Sequence, residues 1–302
     1  MMQNRKPSKI KKGYSLVRAR LWQARFAIVL AMAYGLLFSW LFSGTYEEMQ
    51  GRPIDFSALP ESPVWEAPDA DHRFGTTADG TDLYVLSRAA MAQGSAFAVV
   101  VSTLGVLLGF LISLLFVFDG GSRFGAHVRD RFTLLRSVSR FLRLLPAMMV
   151  FCIVLGGSGA GPVLLFLSFI LVVGLYSSET IAEWFEKEDR RPDRISGEVL
   201  GLHRPRIIKS RSIPVISRRL IGLVATLLPV VILAEMALAF LGFTGGSLSC
   251  GVLVASGTSS LLEAPWVTIY PGLFAGVIVL LFSVLGRVTN FLLRGGTTPD
   301  FL

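Results

Sequence analysis

Apolar residues in this chain come in long unbroken runs. They do not alternate as in a half-buried strand, nor form the one-sided stripe of a soluble helix. Phe26 to Tyr46 is free of Asp, Glu, Lys and Arg for 21 residues, Ala89 to Phe118 for 30, and Leu144 to Ser178 for 35. Between Leu220 and Leu262 the only charged residue is Glu235. A helix needs about 20 apolar residues to cross a hydrocarbon core roughly 30 Å thick. The first two runs supply one crossing each, with a helical pattern beginning near Leu83 to Gln93 ahead of the second. The third run is awkward for one crossing and short for two. Its middle, Gly156-Gly157-Ser158-Gly159-Ala160-Gly161-Pro162, is dense in turn formers. The run therefore divides into spans at about 138–156 and 162–184, each borrowing a turn from its charged flank. A fifth span is expected from Leu220 to Phe243 and a sixth from Ala264 to Gly286. The expected fold class is an all-α polytopic membrane protein with six transmembrane helices.

Composition agrees with that pattern. The chain has 302 residues, 52% hydrophobic and 17% charged, with a mean hydropathy of +0.60. An average soluble domain carries about 25% charged residues. A soluble globule could not cover so much apolar surface, whereas a bilayer can. The two cysteines, Cys152 inside an apolar run and Cys250 beyond another, suggest no disulfide framework. They and three scattered histidines offer no metal-ligand spacing.

The net charge of +8 would suit nucleic acid, but its distribution follows membrane topology instead. Residues 1–25 hold eight Lys or Arg and no acid, and basic flanks stay in the cytoplasm. No small-residue cleavage site closes the first apolar run, so it reads as a retained span. Residues 47–93 hold nine acids, three basic residues and four prolines (Pro53, Pro60, Pro63, Pro68). That is the signature of an irregular extracytoplasmic segment. Arg123 to Arg143 carries six arginines, with Arg136, Arg140 and Arg143 at helical spacing, as on a helix at the inner interface. Thr244 to Glu263 is Gly/Ser-rich without a basic residue, the pattern of an outer loop. Arg287 and Arg294 hold the tail inside. Both termini are thus expected in the cytoplasm. The layout is a basic N-terminus at 1–25, a first span at 26–46 and an extracytoplasmic segment at 47–88. A five-helix core at 89–292 and a tail at 293–302 follow.

One polar segment inside that core is too long for a connector. Residues 185–219 carry ten Lys or Arg, whereas helix connections usually need two to eight residues. Ile195, Val199, Leu200, Ile207, Ile208 and Ile213 are spaced among the charges, enough for a short helix with one apolar face. The segment reads either as a docking element for a cytoplasmic partner or as a solvated basic loop. Gly201 would let it turn, and Pro214 would end it before the next span.

Three stretches carry a resemblance. His72-Arg73-Phe74-Gly75-Thr76-Thr77-Ala78-Asp79-Gly80-Thr81-Asp82 precedes the second span. Gly201, Ile207-Ile208 and Pro214 follow in the cytoplasmic segment. Ala234-Glu235-Met236-Ala237-Leu238-Ala239-Phe240-Leu241-Gly242 is succeeded by Cys250-Gly251, Ala264-Pro265-Trp266 and Pro271-Gly272. In order and spacing these resemble the second permease subunit of dipeptide and oligopeptide ABC importers, over roughly residues 70–290. The chain departs from that pattern where Thr77 and Thr81 replace an Asp and an Arg. It departs again where Ile195-Ser196-Gly197 stands for the family's Glu-Ala-Ala, with Glu198 displaced, and where Gly286-Arg287 stands for Gly-Asp.

The resemblance implies a type I ABC importer permease architecture in the cytoplasmic (inner) membrane. It implies a second homologous permease subunit, two ATPase subunits and an extracytoplasmic substrate-binding protein as partners, with the lipid bilayer around them and no nucleic acid. Peptide is the implied cargo; nickel or another small solute is the alternative. ATPase coupling would fall to Glu198, Gly201, Ile207, Ile208 and Pro214. No G-x-x-x-x-G-K-[ST] loop occurs in the chain, so ATP would be used by the partner subunits and no cofactor bound here. A non-transporting scaffold with a degenerate coupling loop is the rival reading. A membrane enzyme would have only Glu179, Glu183 and His203 to work with.

Within the spans, Glu235 is the notable residue. An intramembrane acid costs about 2.5–3.5 kcal/mol on insertion scales, so it either faces the translocation path or satisfies helix ends or a neighbouring subunit. Pro146 and Pro229 are path candidates because proline frees a carbonyl and bends a helix; packing kinks are the alternative. Gly105 and Gly109 form a small-xxx-small pair suited to close helix packing.

Overall fold

The computed structural model describes residues 28–43, 65–70, 72–78, 80–119, 162–189, 212–243 and 248–293. Among them the regular structure is helical: α1 (Ile28–Phe42), α2 (Leu83–Asp119), α3 (Pro162–Asp189), α4 (Ile213–Phe240), α5 (Cys250–Gly257) with a 3-10 turn at Thr258–Ser260, and α6 (Trp266–Leu293). Four helices are long and apolar enough to cross a membrane: α2, α3, α4 and α6. The described part of α1 is apolar but shorter. The expected third span at 138–156, with Pro146, lies outside the described residues.

The helices outrun the expected spans at their charged ends. α3 continues to Asp189, α4 begins at Ile213, and α6 runs to Leu293 through Arg287. Charge stops a helix from lying in hydrocarbon but does not stop it from being a helix, so charge-free length understates the element. The segment expected as a loop at 185–219 accordingly lends both its ends to helices. Pro214 sits in the first turn of α4, not at the end of a preceding element. Proline is tolerated there because the first N–H groups of a helix have no intrahelical partner. The described part of the expected outer loop is likewise ordered, since Cys250–Gly257 forms α5.

The helix directions follow from their contacts. Phe97 of α2 meets Phe166 and Phe169 of α3, and Phe110 of α2 stacks on Phe185 of α3. Both sequences advance together, so α2 and α3 run parallel. Small residues make this seam. A Cβ at Gly105 would come within 2.5 Å of the Val173 side chain, and one at Gly109 within 2.6 Å of the Gly174 carbonyl. Hydroxyls fill the polar needs of the seam. Ser177 Oγ lies 3.2 Å from Gly105 O, and Ser113 Oγ donates to Ser178 O at 2.7 Å.

α6 runs antiparallel to both α4 and α1. α4 meets α6 with Ala225 against Gly286 and Gly222 against Asn290. α1 lays Tyr34 and Phe38 on Phe282 of α6, and Trp40 on Phe274. The shared core contains Met91, Phe169, Ile181, Ile232 and Phe282. Outward faces are apolar too. Leu104, Leu107, Leu111 and Leu115 on α2, and Leu273, Val277, Leu280 and Val284 on α6, are exposed. Helices apolar on both faces belong in a bilayer.

Candidate functional site

The polar groups that could do work gather at one end of the bundle, where α1 finishes, α2 begins, α4 finishes and α6 begins. The segment ahead of α2 is built as a small knot. Thr76 and Asp82 form an isolated antiparallel bridge. Thr77 N donates to Thr81 O at 2.9 Å, and the two threonine hydroxyls meet at 2.6 Å. These are the two positions at which the chain departs from the family's Asp and Arg, and here they pair with each other.

Asp82 closes the knot and starts the helix. Its Oδ1 accepts from Tyr84 N at 2.7 Å and from Val85 N at 3.4 Å, capping the first turn of α2. Its Oδ2 lies 3.2 Å from His72 Nδ1. The other ring nitrogen of His72 is 3.9 Å from Glu66 Oε2, so the imidazole sits between two carboxylates. The knot is pinned to α6 by aromatic contact. Phe74 stacks on Tyr270 at 5.2 Å with 9° between the planes, and meets Tyr84 edge-on. Gly75, at φ 78°, has the Glu66 carbonyl and the Trp266 ring where a side chain would lie. α1 joins the same end through Arg88, which donates to Trp40 O and Ser43 Oγ and lies over the Trp40 ring.

Glu235 lies deeper, near the last turns of α4. It is 8% exposed. Its carboxyl hydrogen-bonds the side chain of Ser249, and its Oε2 faces Gly94 of α2. Ser249 is the N-cap of α5, its Oγ accepting from Gly251 N at 3.2 Å. Cys250 Sγ donates to Ser87 O of α2 at 3.5 Å. Gly251 packs flat on α4, with the Met236 carbonyl and Phe240 N in the place of a Cβ. α4 is closed by Gly242 at φ 85°, with Gly242 N donating to Ala239 O and Phe243 N to Leu238 O. The sequence places Glu235 between a path-facing role and the satisfaction of helix ends; its bond goes to the capping residue of a helix end.

The other expected site residues divide by position. Glu198, Gly201, Ile207 and Ile208 lie outside the described residues, as does Pro146. Pro214 is in the first turn of α4, and Pro229 is buried in its middle, with α4 running unbroken through it. Pro214, Pro229 and Glu235 share a helix but do not form one cluster. An open apolar groove of about 390 Å³ lies between α1 and α6, lined by Leu37, Val277, Leu280, Leu281 and Val284 among others. It offers no polar group to orient a cargo. Among the described residues, no group of three or more His, Cys, Asp or Glu could hold a metal ion. α5 and the His72–Asp82 pair were not foreseen from sequence. Ser249 ahead of Cys250-Gly251-Val252-Leu253 is the cap signal that points to α5.

Comparison with known proteins places relatives along almost the entire chain. The sequence is 27% identical over 289 residues to the oligopeptide transport system permease protein OppC of Mycobacterium tuberculosis, covering 94% of each chain. The protein of the same name from Mycobacterium bovis matches to the same extent. OppC of Haemophilus influenzae is 25% identical over 277 residues, covering 87% of this chain and 82% of its own. No protein-family model matches the sequence. With four long apolar helices and relatives that are permeases, the chain is a multi-pass membrane protein.

Proposed function

We propose that this chain, a relative of the oligopeptide ABC transporter permeases along nearly its whole length, is the transmembrane permease subunit of an ABC importer that carries peptides across the cytoplasmic membrane. The observation that carries the reading is the match to OppC over 94% of both chains, because a match of that extent spans the membrane core and its connections together. It also fits the helix directions. α2 and α3 are parallel neighbours, and parallel neighbours need a return crossing between them. The six-span reading supplies one at 138–156, outside the described residues. Both termini would then lie in the cytoplasm.

The chain does no covalent chemistry in this reading. Two partner ATPases would supply the energy through the segment at 185–219, with Glu198, Gly201, Ile207, Ile208 and Pro214 at the contact. Helices α3 and α4 flank that segment, so a push on it reaches both directly. A second permease subunit would complete the pathway, and an extracytoplasmic binding protein would deliver cargo at the outer end. Alternation between inward- and outward-open states follows from the ATPase cycle.

The test is purification of the detergent-solubilised protein from its native membrane, for wild type and Gly201→Asp, followed by uptake of a labelled tetrapeptide in cells. Wild type is expected to bring down a second permease and ATPase subunits, with the ATPases reduced for the variant. Deleting the chain is expected to abolish uptake. Absence of any ATPase from the wild-type preparation, under conditions that hold a control transporter together, would sink the reading in favour of a scaffold. Loss of nickel uptake with peptide uptake intact would replace the cargo.

A further inference from the structure

The geometry points to Glu235 as a positioning residue that latches the short helix α5 onto α4 and α2, so that its carboxyl is occupied by the protein itself and not by cargo. Three observations meet at this point. The Glu235 carboxyl bonds Ser249, the residue that caps α5. Ser249 Oγ accepts from Gly251 N, which leaves the hydroxyl proton of Ser249 to be donated to Glu235. The carboxyl therefore acts as the acceptor at the end of a short relay from the α5 backbone. Beside it, Cys250 bonds the Ser87 carbonyl of α2, so one turn of α5 touches both long helices. Gly251 and Gly94 leave the space that lets these groups close up.

An acid placed among apolar helices is costly, and the start of a helix is where that cost is offset. The first N–H groups of α5 have no intrahelical partners, and the dipole there is positive. A bond through the capping residue uses both. The consequence is mechanical. α5 lies between α4 and α6, and its first turn is held by the Glu235–Ser249 bond together with the Cys250–Ser87 contact and the packing of Gly251 on α4. A displacement of α4 against α2 at this end must therefore carry α5 along or break the latch. This role does not depend on which solute crosses the membrane. It bears on the transport reading only by removing Glu235 from the cargo-contacting surface.

Cys250 reports the latch from within. In a Cys152→Ser background it is the remaining cysteine of the two in the chain. The rate of its labelling by N-ethylmaleimide in native membranes then reads the seating of α5. Wild type and Glu235→Gln are expected to label slowly, because the Gln amide oxygen still accepts from Ser249. Glu235→Ala and Ser249→Ala are expected to label about tenfold faster or more, as local opening exposes a buried thiol. A second reporter, Ala98→Cys with Cys250→Ala, sits in the buried core of α2 and is expected to stay protected throughout. If Glu235→Ala opens that site as well, Ser249→Ala, which removes a single hydroxyl, decides. Labelling of Ser249→Ala at the wild-type rate overturns the latch, as does Glu235→Gln labelling as fast as Glu235→Ala. So does a Glu235→Gln variant that keeps Cys250 protected but loses uptake, since that would place the charge in the path. Failure of the wild type to transport peptide at all would overturn the proposed function and leave the labelling result standing.

Discussion

Gly109 of α2 lies so close to Gly174 of α3 that a Cβ built on it would come within 2.6 Å of the Gly174 carbonyl and would also strike Ser177 Oγ. The two helices meet here through backbone. The approach lets the Ser177 and Ser113 hydroxyls reach carbonyls across the seam. Gly109→Ala must push the helices apart, because the obstructing atom is backbone and cannot rotate away. Overpacking of this kind costs about 1–3 kcal/mol. A thermal melt of the solubilised protein is expected to show the loss. Gly276→Ala, where nothing lies within 4 Å, is expected to show none; equal effects at the two sites would remove the close approach as the cause.

Asp82 binds in two directions, and its variants should separate them. Oδ1 caps α2 and Oδ2 holds His72. Asp82→Ala removes both and is expected to destabilise by about 0.5–2 kcal/mol, the usual worth of a cap. Asp82→Asn keeps a capping oxygen and is expected to lose markedly less. Limited proteolysis should cut the Asp82→Ala protein between residues 65 and 82 faster than wild type, since that knot hangs on the same carboxylate. Asp82→Asn cut as fast as Asp82→Ala would mean that the bond to His72, and not the cap, orders the segment.

Cys250 should be a poor nucleophile as folded. α5 lies outside the four long helices, yet burial pushes the Cys250 thiol up to about 12, helped by the nearby Glu235 carboxylate. The thiolate is the reactive form. A rise of about three units from an ordinary thiol lowers its share roughly a thousandfold at neutral pH. The sign for stability follows. A raised folded value favours the protonated folded state, so nothing is lost below about pH 9 and stability falls as pH climbs from there toward 12. Maleimide labelling of Cys250 in a Cys152→Ser background is expected to stay slow across pH 7 to 8.5, and to become fast on addition of denaturant. Rapid labelling of the folded protein would show that the site is open.

The parts of this fold legible in sequence were those written in local pattern. Charge-free length located α2, α3, α4 and α6, and the small-xxx-small pair Gly105–Gly109 announced a close seam. Their ends were misplaced for a single reason. Glu183 to Asp189, Ile213 to Arg219 and Arg287 to Leu293 remain helical beyond the apolar run, and hydropathy is blind to helix that stands in water or headgroups. α5 was hidden because its eight residues are too few for a span and lie inside the Gly/Ser-rich stretch Thr244 to Glu263, which looks like a loop. What orders it, Glu235 and Ser87 from two other helices, is long-range. The pairing of His72 with Asp82 spans ten residues of irregular chain, which no periodicity encodes. The sequence singled out Glu235 as anomalous, but only the positions of α5 and α2 show what it binds.

The contact between α4 and α6 gives a measure of how much such polar ties contribute. Asn290 Nδ2 donates to the Gly222 carbonyl at 3.2 Å and to Thr226 Oγ1. Thr226 Oγ1 in turn donates to Gly222 O at 2.8 Å, so three groups share one small network. The network lies past Arg287, beyond the apolar run of α6, and is only partly buried, so water competes for its groups. Even between transmembrane helices, hydrogen bonds average about 0.6 kcal/mol with a maximum near 1.7. The double-mutant cycle of Asn290→Ala and Thr226→Ala is therefore expected to give a coupling of about 0.5–1.5 kcal/mol in an unfolding titration. Most of the loss in Asn290→Ala should persist in the Thr226→Ala background, since the bond to the Gly222 carbonyl survives there. A coupling near zero would mean that Asn290 is held by the carbonyl alone. A coupling well above 2 kcal/mol would mean that the pair is the main fastening of α6 to α4, and that the backbone approach of Gly286 to Ala225 depends on it.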